Sequence, residues 1–359
     1  MYPKLEIYPD KIKNNVNIIK KIANKNNINL GVVTKGANNI PEVVKAVLEG
    51  GADYLADSRI QRFKKLKSIV KDTPLMLLRI PGPTELKEVI KYADISLNSE
   101  LSIIKSLNKE AAIQNKKHKI VYMLELGDLR EGIYPAEKII DKVQEVKKLS
   151  NIILEGIGTN LSCYGGIKPD LENLGKLSDL AQKIENLYNI NLRIVSGGST
   201  TSLPLLLEDK MPAKINHLRI GEAVLLGRDM EELWDYKITG IKKDSFILKA
   251  EIIELKEKPS KPFGEPFVDA FGHKPSFEDR GKRKRAILGI GKADFVYPKQ
   301  LIPVKEGVEI LGASSDHLIL DVEEVKEELA LGDIMSFKLF YGPMLYLTAS
   351  PLVEEEIIR

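Results

Sequence analysis

The chain has 359 residues, with 54 Lys and Arg against 51 Asp and Glu, a formal net charge of +3 and 43% hydrophobic residues. That balance gives no electrostatic case for a nucleic-acid partner, and the length fits one large core plus a smaller one. The single cysteine, Cys163, excludes an intrachain disulfide and a Cys-based structural zinc site. The opening Met1–Ile7 lacks the apolar core of a signal peptide, and no apolar run is long enough to span a bilayer, so a cytoplasmic enzyme without membrane attachment is expected.

In chain order, Leu30–Thr34 reads as a buried strand with Lys35 at its end, and Ile40–Gly51 follows as a helix. Strand-like runs recur at Asp53–Asp57, Pro74–Ile80, Ala93–Leu97, Lys119–Leu126, Ile152–Gly158, Leu192–Val195 and Leu218–Leu226. Amphipathic stretches at Arg59–Val70, Thr84–Tyr92, Glu100–Asn115, Pro135–Leu149 and Leu171–Tyr188 separate most of them. This alternation predicts an α/β chain whose residues 1–230 form a (β/α)8 TIM-type barrel. An open doubly wound sheet would want a G-x-G-x-x-G turn after the first strand, and none is there.

Past Gly227 the segments are short, β-branched and divided by Gly, Pro and charge: Tyr236–Ile241, Phe246–Leu255, Ala286–Ile290, Val308–Leu311, His317–Val322, Ile334–Phe340 and Met344–Ala349. They predict a smaller, mostly β C-terminal domain over 231–359. Between them Pro259–Arg285 crowds Arg280, Lys282, Arg283, Lys284 and Arg285 together. Without interleaved aromatics this reads as a solvated loop in preference to a nucleic-acid patch.

In a barrel the chemistry belongs at the C-terminal strand ends. Those ends carry Lys35, Gly127–Gly132 with Arg130, Gly158–Gly166 with Asn160, Ser196–Thr201 with Ser199 and Thr200, and Leu218–Glu222 with Arg219 and Gly221. Glycines beside hydroxyls let backbone N–H groups approach a phosphate. A lysine on the first strand and a phosphate cup on the last two suggest a phosphorylated aldehyde held as a Schiff base. Plainer readings stand beside these. Ser199 and Thr200 also suit a helix cap, Arg130 could cap its loop through Asp128 or Glu131, and Cys163 could be a small buried hydrophobe. Lys292 could be a surface charge, His118 is expected on the surface after Lys116–Lys117, and His273 falls in the polar loop.

Five ordered motifs carry a resemblance: Val33–Gly36, Ala56–Ile60, Gly127–Gly132, Gly158–Leu161 and Gly312–Leu318. With them the chain resembles the fold-type III pyridoxal-phosphate enzymes of the alanine racemase group, and within it the ornithine racemase branch. The resemblance implies pyridoxal 5'-phosphate as cofactor, with Lys35 binding it covalently and later moving a proton. It places Arg130 near the phenolic oxygen, Asn160 where alanine racemases carry a histidine stacked on the ring, and Ser199, Thr200 and the backbone of Gly221 and Glu222 around the phosphate. Arg219 matches the arginine facing the pyridine nitrogen. A guanidinium there can only donate, which keeps that nitrogen unprotonated and favours racemisation over transamination.

Racemisation needs an acid–base group on each face. The tyrosine that alanine racemases use falls in Gly289–Phe295, where Lys292 stands instead; His317, Asp316, Cys163 and Tyr164 are the other candidates. For a basic amino acid such as ornithine or lysine a carboxylate would take the distal ammonium, with Asp57, Glu131, Asp294, Glu222 and Asp316 as candidates. Asp57, Arg59 and Asp316 are the expected substrate contacts. Alanine or serine are alternative substrates. The same resemblance leaves two rivals: a metal-assisted D-amino-acid lyase using Asp316 and His317, and a non-catalytic cofactor carrier, which would be a bare barrel. It also implies a head-to-tail homodimer.

Overall fold

A computed structural model describes residues 1–265 and 267–359; Pro266, within the Pro259–Arg285 stretch, lies outside the described residues. The chain divides into two compact units, one of Asp10–Lys242 and one of Met1–Pro9 with Lys243–Arg359.

In the first unit, eight parallel strands among the described residues close into a barrel: β2 Asn29–Val33, β3 Tyr54–Asp57, β4 Leu75–Leu77, β5 Ile95–Asn98, β6 His118–Leu124, β7 Ile152–Thr159, β8 Ile194–Ser196 and β9 His217–Ile220. The strands are short and apolar because both of their faces are covered. Val33, Ala56, Met76, Ile95, Leu97, Val121, Met123 and Ile194 pack together as one buried cluster. Burying each of these side chains other than Ala56 contributes about 1.5–3 kcal/mol, so this cluster is a main source of the barrel's stability. The ring closes where β2 pairs with β9, with Gly31 opposite Arg219. A side chain at Gly31 would crowd its neighbour, since a Cβ there would stand 3.0 Å from His217 Nε2.

The helix α1 (Pro9–Lys25), which the sequence pattern leaves unassigned, buries Ile12, Val16 and Ile19 at helical spacing. Its buried Asn15 donates to the carbonyls of Val224 and Lys242 and ties the helix to the end of the unit. The helix Leu171–Tyr188 has the bounds its sequence predicts. Asp170 caps it by accepting from the N–H groups of Glu172 and Asn173, and it ends at Asn189 with φ 48°.

Two expectations in this unit are corrected. The run Leu218–Leu226 is not one strand: β9 stops at Ile220, Gly221 turns the chain, and Glu222–Leu225 is a short helix. His118 is not on the surface. It opens β6 at 2% exposure, with Nε2 2.8 Å from Ser96 Oγ of the neighbouring strand, because both faces of β6 are covered despite the lysines before it.

The second unit is an eight-stranded sheet among the described residues, made of β1 (Lys4–Ile7), β10 (Phe246–Pro259), β11 (Lys282–Leu288), β12 (Leu301–Pro303), β13 (Glu309–Ala313), β14 (Leu318–Asp321), β15 (Ile334–Leu339) and β16 (Glu354–Ile357). The strand β1 runs antiparallel to β10 and parallel to β16, so the first residues lie in the C-terminal sheet and not in the barrel drawn over 1–230.

Three expectations for the chain past Gly227 differ from the structure. Tyr236–Ile241 is irregular, not a strand. Met344–Ala349 is not a strand either: Tyr341–Leu347 is a helix that buries Pro343, Met344 and Leu347, a helical spacing that its β-prone composition masked. The basic run is largely a strand, not a loop. Arg283 pairs with Asp321 and Glu324, Arg280 with Glu309 and Asp321, Lys282 with Glu257, and Arg285 donates to the Ser260 carbonyl.

Candidate active site

The sequence-predicted residues of the barrel gather at the C-terminal strand ends. Lys35 follows β2 by two residues and opens a single 3-10 turn, Lys35–Ala37. Its side chain is partly buried, and burial pushes its pKa below the ordinary 10.5. Cys163, Asp57 and Glu131 work against that shift, whereas Arg130 adds to it. These four side chains are therefore the charge environment of the lysine.

Asp57 is fully buried, and both of its oxygens are engaged. The Arg59 N–H donates to Oδ1 at 2.7 Å, and Asn39 Nδ2 (2.7 Å) and Arg62 Nη1 (3.4 Å) donate to Oδ2. Arg62 also donates to the Lys35 carbonyl at 3.2 Å. Asp57 thus ties the turn carrying Lys35 to Asn39, Arg59 and Arg62. Arg59 contributes its backbone there and leaves its side chain exposed.

The loops after β6 and β7 are stitched together. Glu125 accepts from the N–H groups of Gly127 (2.6 Å) and Arg130 (3.1 Å), which curls the first loop. Gly132 closes it at φ 142°, where a Cβ would stand 2.4 Å from the Glu125 nitrogen. Fully buried Asp128 then accepts from the N–H groups of Cys163 (3.2 Å), Tyr164 (3.1 Å) and Gly165 (3.0 Å). Arg130 is clasped by Glu131, and that bond holds its pKa above even the usual guanidinium value. Cys163 is exposed, contrary to a buried small hydrophobe. Its Sγ lies 3.5 Å from Asn160 Oδ1, and the Asn160 Nδ2, in a side chain 7% exposed, has no partner.

Arg219 lies in β9 and is buried, which lowers its pKa to about 10. One terminal nitrogen donates to Ser196 Oγ and the other to the Thr159 carbonyl at 2.8 Å. A guanidinium only donates, so Ser196 Oγ accepts from it, and the same hydroxyl bonds His217 Nδ1, 2.9 Å away. Burial lowers the His217 pKa to about 3, so the ring is neutral. Sequence reasoning missed Ser196 and His217. His217 stands two residues before Arg219 on one strand, and that period-two spacing was the available signal.

Ser199 and Thr200 open the short turn after β8, and neither hydroxyl caps it: Ser199 Oγ instead lies 3.2 Å from Thr201 Oγ1. Gly221 and Glu222 follow β9. The Glu222 carboxylate turns away to accept from the N–H groups of Arg228 (2.8 Å) and Asp229 (3.0 Å), and burial followed by Asp229 pushes its pKa up. Only its backbone is available to a ligand in that cup.

In the second unit Lys292, Asp316 and His317 are neighbours. The Lys292 N–H donates to the Ser314 carbonyl at 2.9 Å, Ser315 Oγ donates to Asp316 at 2.6 Å, and Ser314 Oγ lies 3.4 Å from His317 Nδ1. Lys292 Nζ sits 3.7 Å above the Phe271 ring. Among the described residues no group of three or more His, Cys, Asp or Glu side chains could hold a metal ion, and no helix is long and apolar enough to cross a membrane.

Comparison with known proteins gives this geometry its context. Residues 7–229 match the family described as alanine racemase, N-terminal domain. The chain is 46% identical to an ornithine racemase of Acetoanaerobium sticklandii over 358 residues, covering 100% of both. It is 38% identical to a lysine racemase of Thermotoga maritima, covering 99% of this chain and 98% of that one. The fold is similar to alanine racemase of Clostridium difficile 630, with a TM-score of 0.74 at 18% identity over 100% of this chain and 96% of that one. It is also similar to a D-threonine aldolase from Filomicrobium marinum, with a TM-score of 0.71 at 14% identity over 96% and 88%. At those identities the likeness establishes the fold alone, whereas the match over 7–229 and the full-length relatives establish descent. The chain belongs to the alanine racemase family, the pyridoxal-phosphate-dependent racemases of fold type III.

Proposed function

We propose that this protein interconverts the L and D enantiomers of ornithine, with lysine as a second basic substrate. The observation that carries the substrate is the 46% full-length identity to an ornithine racemase, supported by the 38% identity to a lysine racemase. Both names describe an amino acid whose side chain ends in an ammonium.

The barrel residues fit an anionic aldehyde cofactor. Three cationic side chains, Lys35, Arg130 and Arg219, stand on or just after barrel strands, and Arg130 adds to burial in lowering the pKa of both of the others. The buried Asn160 amide has an unused donor, and the Ser199 and Thr200 hydroxyls are not consumed as caps. Pyridoxal phosphate, when bound, draws electron density away from the substrate's Cα and so makes the Cα proton acidic.

The chain's own residues do the rest. Lys35 Nζ would hold the aldehyde carbon and, once displaced, would move a proton at Cα; burial favours its neutral, nucleophilic form. The side chains of Ser199 and Thr200 with the N–H groups of Gly221 and Glu222 would take the phosphate. Arg130 would face the phenolic oxygen and Asn160 the ring. Arg219, braced by Ser196 and Thr159, would donate to the pyridine nitrogen and, as a permanent cation, would leave it unprotonated.

The second acid–base group comes either from the C-terminal cluster, Lys292 or His317, or from Cys163. The Arg59 side chain and Asp316 are the proposed substrate contacts. We further propose a head-to-tail homodimer in the cytoplasm, in which the C-terminal unit of each copy serves the barrel of the other. An active monomer at sizing-column dilution would refute that assembly.

The test is circular dichroism of purified holoenzyme with single L-amino acids: ornithine, lysine, alanine and serine. Decay of the ornithine signal to zero, abolished by Lys35→Ala, is the expected result. Decay with alanine alone would overturn the substrate assignment, and no decay with any of them in cofactor-loaded protein would overturn racemisation.

A further inference from the structure

We propose that Cys163 is the second acid–base residue, exchanging a proton with Cα on the face that Lys35 does not serve; this rests on the racemase reading above. The thiol stands on the loop after β7, three residues beyond Asn160 and four beyond Thr159, whose carbonyl takes the Arg219 guanidinium. Its backbone is not free to wander. The N–H groups of Cys163, Tyr164 and Gly165 all donate to buried Asp128, and Ser162 before them adopts φ 62°. A non-glycine residue in that region is uncommon and costs free energy, which the surrounding bonds offset.

The other titratable groups around Lys35 are committed elsewhere. Asp57 accepts from three donors, Asp128 from three N–H groups, Glu125 from two, and Glu131 clasps Arg130. The arginines remain protonated. Cys163 makes one long S–H contact, 3.5 Å to Asn160 Oδ1, and is exposed, so its proton can equilibrate with solvent. The same Asn160 side chain, 7% exposed, holds Nδ2 beside the thiol with no partner, a buried donor awaiting a ligand at this point. Among side chains, Cys163 also exerts the largest charge influence on Lys35.

The proton count closes. The Cys163 thiolate takes the Cα proton from one enantiomer and becomes a thiol, while the Lys35 ammonium gives a proton to the opposite face of Cα and becomes an amine. The reverse conversion starts from thiol and amine and restores thiolate and ammonium, and solvent exchange interconverts the two enzyme forms.

The test compares wild type, Cys163→Ala and Cys163→Ser holoenzymes with separate L- and D-ornithine in D2O, following optical activity and Cα deuterium by mass spectrometry. The expected result is a loss of racemisation of at least about a hundredfold in both variants. Each should still exchange the Cα proton of one enantiomer, through Lys35, while exchange of the other is lost. Racemisation within about threefold of wild type would overturn the proposal, as would equal loss of exchange from both enantiomers in variants that keep the cofactor absorbance. If wild type itself fails to racemise ornithine, lysine is used in the same assay. Failure with both refutes the racemase reading and this inference with it, whereas with an active wild type the variants report on Cys163 alone.

Discussion

Replacing Ser196 by alanine tests the bracing of Arg219. The hydroxyl accepts from the guanidinium and bonds His217 Nδ1, and Ser196, His217 and Arg219 are 1%, 0% and 4% exposed. Alanine removes the bridge and admits no water in its place, which leaves one charged N–H and one imidazole nitrogen without partners. A hydrogen bond to a charged group contributes about 1.5–3 kcal/mol, and an orphaned neutral ring nitrogen costs about 1–3 kcal/mol. Ser196→Ala should therefore destabilise the barrel by about 3–5 kcal/mol, read as a lower urea midpoint at pH 7 with unchanged slope. Pairing it with His217→Phe in a double-mutant cycle isolates the shared hydroxyl: the double variant should cost less than the sum of the singles by about 1 kcal/mol or more. A Ser196→Ala loss below about 0.5 kcal/mol, or strict additivity, would refute the relay.

Two further outcomes follow from buried groups. Asp128→Ala strips three N–H groups of their acceptor, and because the residues carrying them are exposed, water recovers part of the loss; about 2–4 kcal/mol is expected. Faster amide exchange confined to Cys163–Gly165, with racemisation reduced beyond the loss of stability, is the signature, and unchanged exchange there would contradict it. His118 and His217 are held neutral by burial, with pKa values of about 4 and about 3 against 6.5. Below pH 6.5 the unfolded chain takes up protons that the folded chain refuses. Stability present above pH 6.5 is thus lost as pH falls towards 4, by up to about 1.4 kcal/mol per pH unit for each histidine. His118→Gln should flatten that part of the stability–pH curve relative to wild type, and parallel curves would show that His118 is not buried neutral.

The barrel was legible because its strands are continuous apolar runs separated by helices with clear periodicity. Leu171–Tyr188 emerged with its bounds intact, since Asp170 supplies a cap and Asn189 a left-handed stop. What the sequence hid was tertiary. Asp57 offered a carboxylate beside Lys35, yet nothing local shows that Asn39 and Arg62 converge on it. The lysines before His118 suggested solvent, although β6 is covered on both faces from its first residue. Arg280 to Arg285 looked like a solvated charge run because their acidic partners, Glu309, Asp321 and Glu324, come from strands and loops far along the chain. The residues at strand ends were recoverable from position, whereas the bridge of Ser196 between Arg219 and His217 required the register of β8 against β9.

The placement of β1 has a consequence for how this chain comes into being. Lys4 lies opposite Lys249 on one side and Glu354 on the other, so this strand waits for partners synthesised about 245 and 350 residues after it. During synthesis the barrel can condense while that strand trails unpaired, and the second sheet is completed only when the final segment arrives. A fragment beginning at residue 243 would lack an interior strand and present two open edges, on β10 and β16, to any other chain nearby. For this protein, cutting between the units would not yield two independent domains, and a soluble C-terminal fragment calls for the first nine residues to be supplied alongside it.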